Sequence, residues 1–172
     1  MNQKSFTLVE LLVVVAIIIL LSAIILPDYR ASVSQLTLAR SAHKMAQDIR
    51  RAAEMAMSAK EWQGQIPSGG YGVHVNLSWQ TYYKLYADKN GNEKYDGAGE
   101  EVETINLEKG VIIKGISPSS SSINFKPPAP IVKIKSEAGV ESNSLTITLA
   151  LEADLTKTRT IEVNKAGLID VK

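Results

Sequence analysis

The sequence predicts an α+β chain, with a long N-terminal helix packed on a C-terminal antiparallel β-sandwich-like domain. Three patterns lead there. From Phe6 to Leu26 the residues are almost wholly apolar, and the only charge is Glu10. From Leu38 to Ala56 apolar residues recur at steps of 4, 3, 4, 3 and 4, the spacing of one helix face. Beyond Gly69 and Gly70 the apolar period changes to two, as in strands with one covered face.

The first element is the apolar run. At a rise of about 1.5 Å per residue, roughly twenty helical residues span about 30 Å, the thickness of a bilayer's hydrocarbon core. Glu10 interrupts it near its start. A carboxylate at mid-depth costs about 2.5–3.5 kcal/mol on insertion scales, and a plain anchor gains nothing from it. A cut between Ser5 and Phe6 would give Phe6 a charged amine, and Glu10 of a neighbouring copy would then pair with it. The competing reading is an uncleaved anchor whose Glu10 snorkels or is protonated. The run is too long for the apolar part of a secretory signal peptide, and no clean Ala-x-Ala site follows it. Lys4 and the α-amine precede it. By the positive-inside tendency they stay cytoplasmic, and the chain after Leu26 lies outside.

Pro27 ends or bends this segment, because it lacks an N–H and clashes with the preceding turn. Helical periodicity resumes from residue 28 to about 60. Leu38, Ala42, Met45, Ile49, Ala52 and Ala56 form the stripe, and Arg40, Lys44, Asp48, Arg51 and Glu54 lie off it. Its small residues allow close approach of a sheet, and Met45 to Ala56 is expected to pack on the chain's own strands. Tyr29, Val33 and Leu36 are expected to meet other subunits.

Gly64, Pro67, Gly69 and Gly70 end the helix in a loop. Strands are then predicted at 71–77, 81–87, 101–107, 111–116, 122–125, 131–134, 144–151, 158–163 and 168–171. In the first, Tyr71, Val73, Val75 and Leu77 share a face. Residues Asn164 to Gly167 read as a hairpin turn. Pro127, Pro128 and Pro130 are expected to protect a sheet edge. The resulting divisions are 1–5, 6–27, 28–61 and 62–172.

Composition removes several function classes. The 172 residues carry a net charge of +1 and no cysteine. Disulfides, thiolate nucleophiles and cysteine-bound zinc are therefore excluded, and no strong field attracts nucleic acid. Loss of residues 1–5 would take Lys4 from the 19 basic residues and leave them equal to the 18 acidic ones. His43 and His74 are the only histidines, and nothing around either suggests zinc or a Ser-His-Asp triad. No phosphate-binding Gly-rich loop is present. Trp62 and Trp79 read as core or interface anchors.

The strongest polar stretch is Asp88-Lys89-Asn90-Gly91-Asn92-Glu93-Lys94-Tyr95-Asp96-Gly97. Asp88, Asn90, Asn92 and Asp96, followed by Glu100 and Glu101, place oxygen ligands as a calcium loop does. Gly91 precedes the third ligand instead of following it, and Lys89 and Lys94 bring like charge to a cation. The plainer reading is a polar turn held by Asx hydrogen bonds. Calcium here would stiffen a loop and catalyse nothing.

Residues 5–29, opening on Phe6-Thr7-Leu8-Val9-Glu10-Leu11-Leu12, resemble the N-terminus of type IV pilins and type II secretion pseudopilins. That family has a basic leader, a cut before a Phe that is then N-methylated, and a Glu four residues past that Phe. Lys4, Phe6 and Glu10 match those positions, and Pro27 matches a helix-bending proline. Ser5 stands where the family has Gly. The resemblance implies the pilin fold, removal of leader 1–5 by a prepilin peptidase, methylation of Phe6 and assembly through Phe6, Glu10 and Pro27. It also implies other pilins or pseudopilins and a secretion or pilus assembly platform as partners. The chain would be a single-pass inner-membrane protein and no enzyme. The middle and C-terminal parts of the chain are similar to the minor pseudopilin H branch, through Asp48-Ile49-Arg50-Arg51-Ala52 on the helix and a closing hairpin from Thr160 to Ile169 with Gly167. Some members of that branch bind DNA through a basic tail. The end here, Leu168 to Lys172, lacks arginine, so nucleic acid is not an expected partner. A membrane-tethered binding module or enzyme is the alternative.

Overall fold

A computed structural model describes residues 6–97, 99–127 and 131–172; the side chains at 25–28, 30 and 31 also lie outside the described residues. The chain divides into two compact units, 1–36 and 37–172. Helix α1 is Leu8–Met57.

The helix end shows why the chain turns where it does. Lys60 N–H donates to Met55 O at 3.1 Å, and Ala59 N–H donates to Ala56 O at 3.1 Å. These are the two bonds of a Schellman motif, which needs a left-handed residue just past the helix. Ala59 fills that position with φ 46°. The helix therefore stops a few residues before the Gly64 expected from the sequence.

Ten strands follow: β1 Gly70–Val75, β2 Tyr82–Asp88, β3 Glu101–Asn106, β4 Val111–Ser117, β5 Ser121–Lys126, β6 Ile131–Ser136, β7 Glu141–Ser142, β8 Ser144–Leu151, β9 Asp154–Asn164 and β10 Ile169–Val171. They make a six-stranded sheet, β3-β2-β1-β5-β6-β7, and a four-stranded sheet, β10-β9-β8-β4. Every pairing is antiparallel.

Within residues 37–172, one apolar core joins the helix stripe to both sheets. Leu38, Ala42, Met45, Ile49, Ala52 and Ala56 are all buried, together with Ala46 and Met55. Small side chains let the strands come close, so Ile49, Leu85, Ile113, Ile134, Leu145 and Ile147 are sealed completely. Burial of a side chain of that size stabilises the fold by about 1.5–3 kcal/mol. Polar ties fix the helix azimuth. Tyr83 Oη donates to Asp48 Oδ2 at 2.6 Å, Arg51 meets Glu103 at 2.9 Å and Arg40 meets Glu108 at 3.3 Å. Asp48 is thus an acceptor at the core margin and not a solvated residue. Burial and the Asp48 carboxylate together hold the Tyr83 hydroxyl far above its ordinary range.

Three expectations need correction. Leu77 lies past the end of β1 and is exposed, because the chain turns at Asn76, whose carbonyl accepts Trp79 N–H at 3.0 Å. Pro127 follows β5, which is paired on both sides, and the edges of that sheet are β3 and β7; Pro128 and Pro130 lie outside the described residues. Finally, β1 is buried at every residue, not on one face only. Residues 89–97 fold over its outer face.

Candidate functional sites

At the helix start, Thr7 and Glu10 form a capping box. Glu10 N–H donates to Thr7 Oγ1 at 3.2 Å, while Glu10 Oε2 accepts Thr7 N–H at 2.9 Å and Thr7 Oγ1–H at 2.8 Å. Two helix-end donors that have no partner within the helix are thereby satisfied. Sequence reasoning singled out Glu10 and passed over Thr7, although Thr-x-x-Glu ahead of an apolar run carries this signal. Beyond Glu10 the helix exposes Leu11, Leu12, Val14, Ile17, Ile18, Leu21 and Ile24. Tyr29, Val33 and Leu36 are exposed as well. Among the described residues no helix is long and apolar enough to cross a membrane; within the apolar run the side chains are described as far as Ile24. Ser5 and the side chain of Pro27, both named from the sequence, lie outside the described residues.

The polar loop is the second feature. Asp88 ends β2 and is wholly buried. Its Oδ1 accepts Gly91 N–H at 2.7 Å, and its Oδ2 accepts Glu93 N–H at 2.7 Å and Asn124 Nδ2 at 3.0 Å. Asn90 Oδ1 accepts Asn92 N–H, and Asn92 Oδ1 accepts Lys94 N–H, each at 3.0 Å. Both amides also turn Nδ2 toward Asp96 Oδ2. Buried Glu100 closes the loop by accepting Lys89 N–H at 3.1 Å and Asp96 N–H at 3.0 Å. Burial, with the nearby charges of Asp88 and Asp96, holds the Glu100 carboxyl above its ordinary range. The four residues named for calcium therefore share one loop. Among the described residues, no three acidic or histidine side chains gather closely enough to hold a metal.

The loop is pinned to the sheet beneath it. Tyr95 N–H donates to Ser122 Oγ at 3.0 Å, and Lys135 reaches Asn92 O at 3.1 Å and Glu93 at 2.7 Å. His74 is buried under Tyr95 and Trp79, with ring centroids at 5.2 and 5.4 Å. Lys84 lies over the Trp79 ring at 4.8 Å and pairs with Glu101 at 2.6 Å. Trp62, at the helix-end loop, packs against the core, and His43 is exposed on the helix.

The comparisons with known proteins bear first on this N-terminal segment. Residues 1–26 match the family described as the Prokaryotic N-terminal methylation motif. Over 94 residues the chain is 35% identical to the Fimbrial protein of Neisseria meningitidis serogroup B (strain ATCC BAA-335 / MC58). That alignment covers 52% of this chain and 52% of the relative, so the chain matches about half the length of that curated protein. No solved structure matches. The chain resembles the type IV pilin and pseudopilin family.

Proposed function

We propose that the chain is a structural subunit of a type IV pilus-like filament or of a type II secretion pseudopilus. Residues 1–5 are the leader, 6–27 the membrane and assembly segment, 28–61 the amphipathic continuation of the helix, and 62–172 the displayed β-domain. A prepilin peptidase cuts between Ser5 and Phe6, Phe6 is methylated, and an assembly platform at the inner membrane packs the helix with those of other subunits. The N-terminus is cytoplasmic before the cut. The observation that carries the reading is the exposed apolar helix surface after a lone Glu10. In water such a surface must be covered, by lipid first and by neighbouring helices later. The closing β9–β10 hairpin over Gly167 favours the minor pseudopilin H branch.

Intact mass of the mature protein is the test. A chain that begins at methylated Phe6 supports assembly, whereas an unprocessed chain points to a membrane-tethered binding module or enzyme. Glu10→Ala is expected to leave the β-domain folded and to block incorporation into filaments.

A second reading concerns the loop from Asp88, which we propose takes a calcium ion. Counting from Asp88, the side-chain ligands fall at positions 1, 3, 5 and 9 and the Lys94 carbonyl at position 7, the spacing of the first nine positions of a helix–loop–helix calcium loop; position 12, a bidentate glutamate in such loops, is Gly99 here, with Glu100 one place beyond. Such loops need a sharp turn at position 6. Glu93 occupies that position with φ 68°, although it is not glycine. The donor types fit calcium, but the Asn90 and Asn92 amides must turn Oδ1 inward to ligate it.

A further inference from the structure

By itself the loop from Asp88 falls short of what calcium needs. Asp88, Asn90, Asn92, the Lys94 carbonyl and Asp96 offer five ligand groups, whereas calcium takes about six to eight oxygens. Glu100 does not make up the number, because one of its oxygens accepts Lys89 N–H and the other Asp96 N–H. A further oxygen stands beside the loop on β5. Asn124 is wholly buried and pairs with Gly72, whose other neighbour is Tyr86. Its Nδ2 donates to Asp88 Oδ2 at 3.0 Å, and its Oδ1 has no hydrogen bond among the described residues. The Tyr86 hydroxyl is also wholly buried and has none, although the Asn124 side chain lies beside it. Polar atoms left without partners in such a place are costly.

Half a turn of the Asn124 amide exchanges its two ends. Nδ2 then donates to the Tyr86 hydroxyl, and Oδ1 takes its place against Asp88 Oδ2. Without a cation that sets two acceptor oxygens against each other. With one between them the contact becomes ligation, since two oxygens about 3 Å apart can both stand about 2.3–2.6 Å from one calcium ion. Asp88 Oδ2 has room for the ion, because a carboxylate oxygen has about two acceptor positions. Glu93 N–H holds one of them at 2.7 Å, and rotation frees the other. We propose that Asn124 Oδ1 is a further calcium ligand of this loop, turned onto the ion by rotation of its amide and standing in for the glutamate that such loops carry at position 12. The inference rests on the calcium reading above.

The test is a calcium titration of the detergent-solubilised full chain, read by calorimetry and compared with the unfolding midpoint in EGTA. The parent is expected to bind. If it does not, the calcium reading fails and this inference with it. Asn124→Ala is expected to bind at least about tenfold more weakly, a loss that even the outer partners of metal ligands cause. Parent-like affinity in that variant overturns the role of Asn124 and leaves the calcium reading standing. Asn124→Asp separates ligation from packing. It keeps an oxygen for the ion but sets a second carboxylate against Asp88. Its midpoint in EGTA should fall, while its calcium affinity holds or rises with the added ligand charge. A fall in both makes Asn124 only a hydrogen-bond donor to Asp88 and overturns the proposal. If Asn124→Ala does not fold, nuclear Overhauser contacts of the Asn124 amide protons in the parent decide. With calcium they should leave the Glu93 amide and move to the Tyr86 ring; contacts that calcium does not alter overturn the proposal.

Discussion

His74 Nδ1 lies 2.8 Å from Ser122 Oγ, the same oxygen that receives Tyr95 N–H. One serine thus ties the buried histidine of β1 to the loop that covers it. The contact is structural. Ser122 is as buried as His74, so no substrate reaches it. Glu137 stands 3.6 Å from His74 Nε2 and would favour the charged ring, but that carboxylate is 56% exposed and is screened by water. Burial and the Lys84 charge prevail, and the imidazole pKa falls to about 4.

The first prediction is a pH dependence with a definite sign. Above about pH 6.5 His74 is neutral in both folded and unfolded chains, and its contribution is fully present. As pH falls from 6.5 toward 4, the unfolded chain gains a proton that the folded chain refuses. Stability is lost over that window, by about 3 kcal/mol at most. Urea midpoints of the detergent-solubilised chain at pH 7.5 and 4.5 measure it, and His74→Gln should flatten the slope. An unchanged slope in that variant would show that other groups carry the effect.

Calcium gives the second. If the loop from Asp88 to Glu100 holds the ion, unfolding shifts upward with added calcium. At ten times the dissociation constant the gain is about 1.4 kcal/mol, and Asp96→Asn should reduce it. Equal thermal midpoints in EGTA and in millimolar calcium remove the calcium reading and leave the loop as an Asx-bonded turn.

Gly72 supplies the third. It pairs with Tyr86 on one side and Asn124 on the other, and a Cβ there would overlap the Tyr86 ring and the Ile123 carbonyl. Gly72→Ala should destabilise the β-domain by about 1–3 kcal/mol, the usual cost of overpacking. A neutral midpoint would mean that the sheet yields more easily than its contacts indicate.

The fourth concerns the helix end. Ala59 adopts φ 46°, a left-handed conformation that costs an L-residue about 1–2 kcal/mol. Ala59→Gly should therefore raise stability by roughly 0.5–1 kcal/mol after allowing for glycine's greater freedom when unfolded. A lower midpoint in the variant would show that Ala59 makes packing contacts that outweigh its backbone strain.

Much of this fold was legible in the residues. The Leu38–Ala56 stripe is buried as its period requires. Strand β8 falls on Ser144–Leu151 as expected, because Leu145, Ile147 and Leu149 alternate with threonines. Gly167 takes φ 81° and closes the last hairpin by donating to Asn164 O at 2.9 Å. Strand β9 begins at Asp154, four residues earlier than Thr158, because Leu155 to Arg159 are exposed on both faces and show no period. The two-residue β7 leaves no pattern at all.

Local chemistry alone determined the helix, its apolar start, its core-facing stripe and the alternation of the strands, since each depends on neighbours a few residues apart. The fate of the polar groups was decided only by the tertiary structure. Asp88 and Glu100 look like ligands in the sequence, yet their burial follows from residues 89–97 lying over β1, and Asn124 joins Asp88 from a strand far along the chain. The bare face of β1 at Gly72 and His74 invites that cover, but only contact between distant segments reveals that the loop supplies it. Burial is a property of the assembled neighbourhood, and no periodicity within a single strand encodes it.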